Sequence, residues 1–464
     1  MGPFDFSLLQ PRGQSFRITE NIFVRLLGLV YLIAFASLWP QIVGLVGING
    51  VSPAAETLLA MHHDFAWHAY WYVPSLFWLS RTDATLQWLC ALGCVAALLL
   101  LLGVAVRSAA LAAYVLYLSL VTIGQPFTSF QWDALLLETG FLAIFAGSSF
   151  LPFAYRFLLF RLMFESGLVK LTSGDVNWRD LHALRYHFFT QPLPTPVAYY
   201  MHFAPGWLLD SLTLATLVIE LLVPFLLFAY PRRIRQIAAS LLVLLQSFIA
   251  LSGNYAFFNL LTVALCVWAL DDECFRRWQN WLRPAVPRQK KILNVAVASL
   301  VALSVLHIFA LEPSFLESFE IVNSYGLFAV MTTTRNELVI EGSNDDVRWQ
   351  PYGFRYKPGD VQRRLPLVAP YQPRLDWQMW FAALGDAPEN PWLRALCYRI
   401  LLGDKQVLEL LEQPPPFAKP PRFIRILAYS YTFTPPAQRG RDGTVWQRKP
   451  LGIWFGPESL AAQN

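Results

Sequence analysis

A chain of 464 residues that is 55% hydrophobic and 14% charged carries far less charge than the ~25% of an ordinary soluble domain. Seventeen Trp and 35 Phe add apolar surface that suits lipid contact and the aromatic belts at membrane edges. The net charge of +5 is modest and its arginines cluster in short turns, a pattern of membrane orientation rather than of nucleic-acid binding.

The first 20 residues are polar and show no cleavable signal pattern, and the apolar stretch that follows is long enough to span. About twenty apolar residues cross a bilayer. Segments 22–46, 85–105, 107–123, 131–149, 155–172, 207–230, 237–251, 256–270 and 292–311 are the candidates. They predict a polytopic α-helical membrane bundle of about nine spans over residues 1–312.

Basic residues test that order. Arg12, Arg17 and Arg25 precede or open the first span, and Arg107 and Arg156 sit at the second and fourth turnarounds. Arg232, Arg233 and Arg235 fill the sixth, and Arg276, Arg277, Arg283, Arg288, Lys290 and Lys291 the eighth. The intervening loops 47–84, 124–130 and 252–255 hold Arg81 alone. This alternation is the positive-inside pattern and predicts a cytoplasmic N-terminus with the C-terminal part outside the cytoplasm.

Two outer loops are long. Residues 47–84 carry Trp67, Tyr70, Trp71, Tyr72 and Trp78 near His62, His63 and His68, and are expected to form an interfacial helix. Residues 172–206 hold Trp178, Arg179, Asp180, His182, Arg185, Tyr186 and His187, and end in Gln191-Pro192-Leu193-Pro194, which cannot be regular helix. Cys90 and Cys94 lie one turn apart on an apolar helix and read as small packing residues. The five Cys and seven scattered His show no metal-ligand spacing, so no metal site is expected.

Residues 313–464 change character and read as an extracytoplasmic β-rich soluble domain. Glu337–Gly342 and Trp349–Lys357 are expected strands across the turn Ser343-Asn344-Asp345-Asp346, residues 391–411 a short helix, 422–433 a further strand, and Thr444–Arg448 its hairpin partner.

Ionisable groups at bilayer depth cost at least ~2.5–3.5 kcal/mol on insertion scales and usually face a bundle interior. Span 4 carries Gln131, Asp133 and Glu138, and span 5 carries Arg161, Glu165, Ser166 and Lys170. Glu220, Gln246, Asn254, Asn259 and His307 follow in later spans. Arg161 and Glu165 are four apart and are expected to pair along one helix face. Asp133, Glu138, Glu165, Lys170, Asn254 and Asn259 all fall in the outer half and are expected to converge. Lys170 has no carboxylate at i±4, and a partly desolvated lysine can act as a base.

Several long motifs then carry a resemblance. Phe127-Thr-Ser-Phe-Gln131-Trp-Asp133-Ala-Leu-Leu-Leu-Glu138-Thr-Gly140 and Gly253-Asn254-Tyr255-Ala-Phe257-Phe258-Asn259-Leu-Leu-Thr262 resemble the lipase maturation factor family. Asn323-Ser-Tyr325-Gly326-Leu-Phe328, Glu341-Gly342-Ser, Lys357-Pro358-Gly359-Asp360 and Arg374-Leu-Asp376-Trp377-Gln378-Met379-Trp380-Phe381 agree. The resemblance runs from about residue 22 to 450. It implies a multi-spanning protein whose C-terminal domain faces the secretory lumen and promotes folding of secreted lipases. No endoplasmic-reticulum retrieval signal stands at Ala461-Ala-Gln-Asn464, and the Trp-, Leu- and Arg-rich style points to a bacterial inner membrane with a periplasmic C-terminal domain; a eukaryotic chain would sit in the endoplasmic reticulum. The membrane half is also distantly similar to the transmembrane domain of vitamin K-dependent γ-carboxylases. That likeness implies a base at Lys170, in Gly167-Leu-Val-Lys170-Leu.

Two functions follow. In the first, a membrane-anchored maturation factor holds an exported client such as a lipase, with Arg374, Asp376, Trp377 and Trp380 as a contact strip; an exposed strip would favour client contact, a buried one packing onto the membrane part. In the second, a membrane enzyme acts on a quinone-like or lipid substrate, with Lys170 as base and Glu165 and Asp133 beside it. Gln131, Glu138, Asn254, Tyr255 and Asn259 are candidate substrate- or client-binding residues in either case. No cofactor is required, and a quinone or lipid is the class the enzyme would use. A transporter would need paired repeats, which the sequence does not show.

Overall fold

A computed structural model describes residues 14–278, 291–308 and 314–460. Arg12, Arg283, Arg288, Lys290, residues 309–311 of the ninth expected span, the expected boundary at 312/313 and the terminal 461–464 lie outside the described residues. The membrane half consists of helices α1 (Arg17–Leu38), α2 (Asp83–Leu102), α3 (Val106–Ile123), α4 (Gln131–Ala143), α5 (Leu151–Thr172), α6 (Ala183–Thr190), α7 (Gly206–Leu221), α8 (Arg232–Ser252), α9 (Phe258–Cys266) and α10 (Lys291–Ile308).

Local chemistry sets their ends. The Thr82 hydroxyl accepts from Thr85 N–H at the start of α2, and Gly103 closes it in the left-handed conformation at φ 72°. α1 has no such cap of its own. Instead the carboxylate of Asp272 accepts the N–H groups of Arg17, Ile18 and Thr19 at 2.9, 2.8 and 3.1 Å, satisfying the free donors of its first turn. Helices α1 and α2 pack closely through a small residue: a Cβ on Gly28 would lie 2.4 Å from the Leu101 backbone nitrogen.

Among the described residues five helical segments are long and apolar enough to cross a membrane: Arg17–Leu38, Asp83–Leu102, Val106–Ile123, Gly206–Phe228 and Arg232–Ser252. The other four expected spans are helical too, for distinct reasons falling short of that standard. α4 has 13 residues, about 20 Å of rise. α5 has 22 residues but carries Arg156, Arg161, Glu165 and Lys170. Phe258–Ala269 and Ile292–Ile308 are shorter apolar helices.

The turns segregate to two ends. At one, Arg25 reaches the Leu101 carbonyl at 3.0 Å, Arg107 the Ala146 carbonyl at 2.8 Å, and Arg232 the Asp271 carboxylate at 2.9 Å. Ser148 meets Asn294 of α10 there, at 2.8 Å. At the other end, residues 41, 127, 189–192 and 254 bond to the C-terminal part, and α10 arrives with His307 2.7 Å from Ser324. Loop 47–84 folds into Ala54–Phe65 and shorter helical turns, with Trp67, Tyr70, Trp71 and Tyr72 exposed. Its Trp71 packs at 4.8 Å on Phe319.

The C-terminal part is an antiparallel sheet of β1 (Arg335–Ser343), β2 (Trp349–Tyr352), β3 (Phe423–Phe433) and β4 (Trp446–Glu458) in the order β2-β1-β3-β4, with α11 (Arg374–Ala382) and α12 (Pro391–Leu402) inserted between β2 and β3. β1 pairs with β3 in the register Leu338↔Ala428 and Ile340↔Ile426, and β3 with β4 through Tyr431↔Arg448. Leu338, Ile340, Ile424 and Ile426 are buried in the same core as the membrane helices, so the sheet continues the bundle's packing.

Three boundaries depart from expectation. The second strand stops at Tyr352 instead of Lys357, because the Tyr356 and Lys357 N–H groups donate to the Asp376 carboxylate at 2.8 and 2.9 Å and leave the ladder. The helix expected over 391–411 breaks at Gly403, which takes φ 73°. The last strand runs on to Glu458 rather than ending at Arg448. Pro450 and Pro457 hide it in the sequence but are tolerated on an edge strand.

Candidate functional site

The intramembrane polar residues are buried, apart from the half-buried Gln131, Glu165 and His307, and the structure sorts them into separate bonded sets rather than one converging site. The first set is the seam between bundle and sheet domain. Arg374, the first residue of α11, grips Asp133 of α4 with both guanidinium nitrogens at 2.9 and 2.8 Å, a bidentate geometry. It also donates to the Phe127 carbonyl at 2.9 Å and to Tyr117 Oη at 3.2 Å, while Tyr117 donates to Asp133. Burial pulls the Arg374 pKa down, but Asp133 more than compensates and holds it above its ordinary value. Both side chains are inaccessible to solvent, so this pair leaves Asp133 no free oxygen for chemistry beside Lys170.

The second set straps the connecting segment to the bundle. Arg161 bonds Glu138 at 2.7 Å and, along its own helix, Glu165 at 3.3 Å, the pairing the spacing predicts. Arg161 also donates to the Asn323 carbonyl. Glu138 accepts from Asn323 N–H at 2.9 Å and Tyr325 Oη at 2.8 Å, Glu165 from Tyr325 N–H at 3.0 Å, and Gln131 from Gly326 N–H at 3.2 Å. Gln131, Glu138 and Glu165 thus hold the Asn323–Gly326 motif in place. Glu320 sits beside this set, and burial together with Asp133 and Glu138 pushes its carboxyl up to about 7.

Asn254 clamps the third junction. Its amide donates to the Leu193 and Pro366 carbonyls, each at 3.0 Å, and its oxygen accepts from Val368 and Ala369 N–H at 2.7 and 3.0 Å. Asn259 donates to Gln246 at 2.7 Å. These contacts explain why Asn254 and Asn259 carry their motif without meeting Lys170.

The expected contact strip on α11 is buried. Arg374, Asp376 and Trp377 are covered and Trp380 is half-buried, donating to the Thr190 carbonyl at 2.7 Å. Trp377 lies edge-on to Trp132 with centroids 4.7 Å apart and to Tyr255 at 5.8 Å. The strip therefore packs the sheet domain onto the bundle, which removes it as a surface for a client. Burial raises the Asp376 pKa, opposed by the two N–H donors of Lys357 and Tyr356.

Lys170 has a partner the helix spacing could not reveal. Glu220 of α7, a lone carboxylate in an apolar run, meets its Nζ at 3.0 and 2.8 Å, and the Ser166 carbonyl takes a third bond at 3.0 Å. Glu220 and the Ser166 carbonyl together occupy the Lys170 Nζ, which leaves it no free position toward a substrate. Trp178 lies over the same ammonium at 5.2 Å.

Lys170 and Glu220 line a cavity of about 90 Å³ between α5, α6, α7 and α8, together with Trp132, His187, Gln246 and Tyr255. Burial and the Lys170 charge push His187 down to about 4, so it is neutral at physiological pH. Of these groups the sequence singled out Tyr255 and Lys170 as a site; the Lys170–Glu220 match across two spans was the available signal for the rest. Arg335, Glu337 and Lys357 form a further buried set that sequence reasoning missed, with Arg335 reaching the Phe189 and Pro192 carbonyls at 2.9 and 2.8 Å.

Comparison with known proteins agrees with this two-part build. Residues 18–277 match the lipase maturation factor transmembrane domain and residues 321–455 the lipase maturation factor C-terminal domain. The chain is 35% identical to lipase maturation factor 1 of Bos taurus over 507 aligned residues, covering 97% of this chain and 90% of the relative. It is 34% identical to lipase maturation factor 1 of Homo sapiens over 505, covering 96% and 88%. With lipase maturation factor 2 of Gallus gallus it shares 34% over 576, covering 94% and 80%. No solved structure matches. The chain, a membrane protein by its apolar helices, belongs to the lipase maturation factor family.

Proposed function

We propose that this protein is a membrane-anchored maturation factor for exported proteins, lipases among them, that presents its sheet domain rigidly above the bundle. The observation that carries the reading is the solvent-free Arg374–Asp133 grip, which fixes the sheet domain while leaving its outer edge open. β4 is that edge, with Leu451 and Ile453 exposed at 56% and 61%. Edge strands offer unpaired backbone groups to an extended partner, and Lys449 and Pro450 guard this one against indiscriminate pairing. Client contact is accordingly assigned to β4 rather than to the buried α11 strip.

Among the described residues, helices α1–α5 and α7–α10 are read as nine crossings, with residues 1–312 as the membrane bundle and 313–464 as the extracytoplasmic domain. The basic turns gather at the end away from the sheet domain, which supports a cytoplasmic N-terminus. In an endoplasmic reticulum membrane the sheet domain then faces the lumen, and in a bacterial inner membrane the periplasm; the animal relatives favour the first setting. The enzyme reading, with Lys170 as base on a quinone-like or lipid substrate, has the cavity in its favour and the full engagement of Lys170 by Glu220 and Ser166 against it.

The test is co-expression of a secreted lipase with the wild-type chain or with Leu451→Asp/Ile453→Asp. Secreted lipase activity and lipase co-purification should fall together while the level of the membrane protein holds. Full activity in the variant would remove β4 as the client surface.

A further inference from the structure

The cavity beside Lys170 is built differently from the packed polar sets around it. At about 90 Å³ it is well above the ~10–15 Å³ that one water molecule needs. Six of its lining residues are only half-buried, among them Thr216 of α7 and Phe248 and Ile249 of α8. These three are flanked by the exposed Leu214 and Val218 on α7 and Leu244 and Leu251 on α8. Both helices are apolar enough to cross a membrane, so the cavity opens sideways toward lipid between them.

Its interior carries no uncompensated charge. Lys170 and Glu220 neutralise each other at 2.8 Å, and His187, pushed down to about 4, is uncharged. A charged headgroup would lose its hydration there without gaining a counter-ion. Unmet hydrogen-bonding capacity nevertheless remains. Trp132 is 2% exposed and lines the cavity, yet its indole N–H has no acceptor among the described residues. Tyr255 gives its hydroxyl proton to Gln191 Oε1 at 2.7 Å, so His187 Nε2, 3.2 Å away, must be the donor to Tyr255 Oη. That tautomer leaves His187 Nδ1 as an acceptor. His187 lines the cavity, so an open acceptor in a neutral, apolar-walled space suits the proton of a hydroxyl group.

We propose that this cavity binds the hydroxyl-bearing head of a neutral single-chain lipid of the monoacylglycerol class, which enters between α7 and α8 and leaves its acyl chain in the lipid phase. The inference rests on the cavity and stands whether or not β4 is the client surface. The lipid is bound without covalent change.

The test uses the full chain in a nonionic detergent with a photoactivatable monooleoylglycerol, its diazirine near the head. Labelled peptides should come from residues 162–170, 216–220 or 245–252. Unlabelled monooleoylglycerol should compete at least about tenfold better than sodium oleate at pH 8. Thr216→Trp, which fills the mouth, should abolish labelling, and Leu214→Trp on the exposed face of the same helix should keep it. Labelling confined to other segments, equal competition by oleate, or undiminished labelling of a folded Thr216→Trp protein would each overturn the proposal. Should Thr216→Trp fail to fold, the wild-type label map and the oleate comparison decide alone.

Discussion

Two buried ion pairs of near-identical geometry, Arg374–Asp133 at 2.8 Å and Lys170–Glu220 at 2.8 Å, sit in opposite kinds of surroundings. The first is enclosed by Tyr117, the Phe127 carbonyl and Gln41, which accepts the Arg374 backbone N–H at 3.0 Å. The second borders a void with a half-buried mouth. A pair packed on every side can only hold two parts together. A pair beside a space adds a neutral polar wall to that space, so equal distances serve different ends.

That contrast can be broken by truncation. Arg374→Ala leaves Asp133 buried without a counter-charge and should cost about 3–5 kcal/mol. It would read as a large drop in the thermal midpoint of the detergent-solubilised protein and as new proteolysis between bundle and sheet domain. Lys170→Met removes the same kind of partner, but the neighbouring cavity lets water reach Glu220, so its cost should be roughly 1–3 kcal/mol. Equal losses in the two variants would mean that the cavity makes no difference to the pair.

Acidity sharpens the comparison further. His187 has its pKa lowered from 6.5 to about 4, so its contribution to stability is full above 6.5 and is lost as pH falls toward 4. Glu320 is shifted the other way, from 4.5 to about 7, and its contribution is lost as pH rises through that range. The two oppose each other between 4.5 and 6.5, so their joint effect on stability should be small there. The stability difference between wild type and His187→Phe should grow with pH from 4 to 6.5, at no more than about 1.4 kcal/mol per pH unit, and then level off. A difference that stays flat would show that His187 titrates normally. The smallest effect belongs to Trp380→Phe, which removes the bond to the Thr190 carbonyl at the seam and should cost about 1 kcal/mol.

Much of this architecture was legible in the residues. Apolar runs and alternating arginine turns gave the helices and their two ends, because burial and charge placement act on short stretches of chain. The Arg161–Glu165 pair was equally local, four residues apart on one helix. Partners distant in sequence were not legible. Arg374 lies 241 residues from Asp133 and Lys170 lies 50 from Glu220, and no periodicity links them. The same limit hid the fate of α11: Trp377 and Trp380 are the kind of residues that anchor a partner, and the partner proved to be the chain's own bundle. The β4 strand was cut short for a different reason, since its prolines stop a strand everywhere except at an edge, and edges are a property of the whole sheet.

The carboxylate of Asp272 that closes the start of α1 comes 255 residues after Arg17 in the chain. At synthesis rates of about 5–20 residues per second, the first helix waits tens of seconds for its acceptor. During that interval three backbone N–H groups of its opening turn lack the partner they hold in the finished protein. A late-made part of the bundle therefore completes the first-made, and a chain cut short before Asp272 lacks the side chain that closes its first helix.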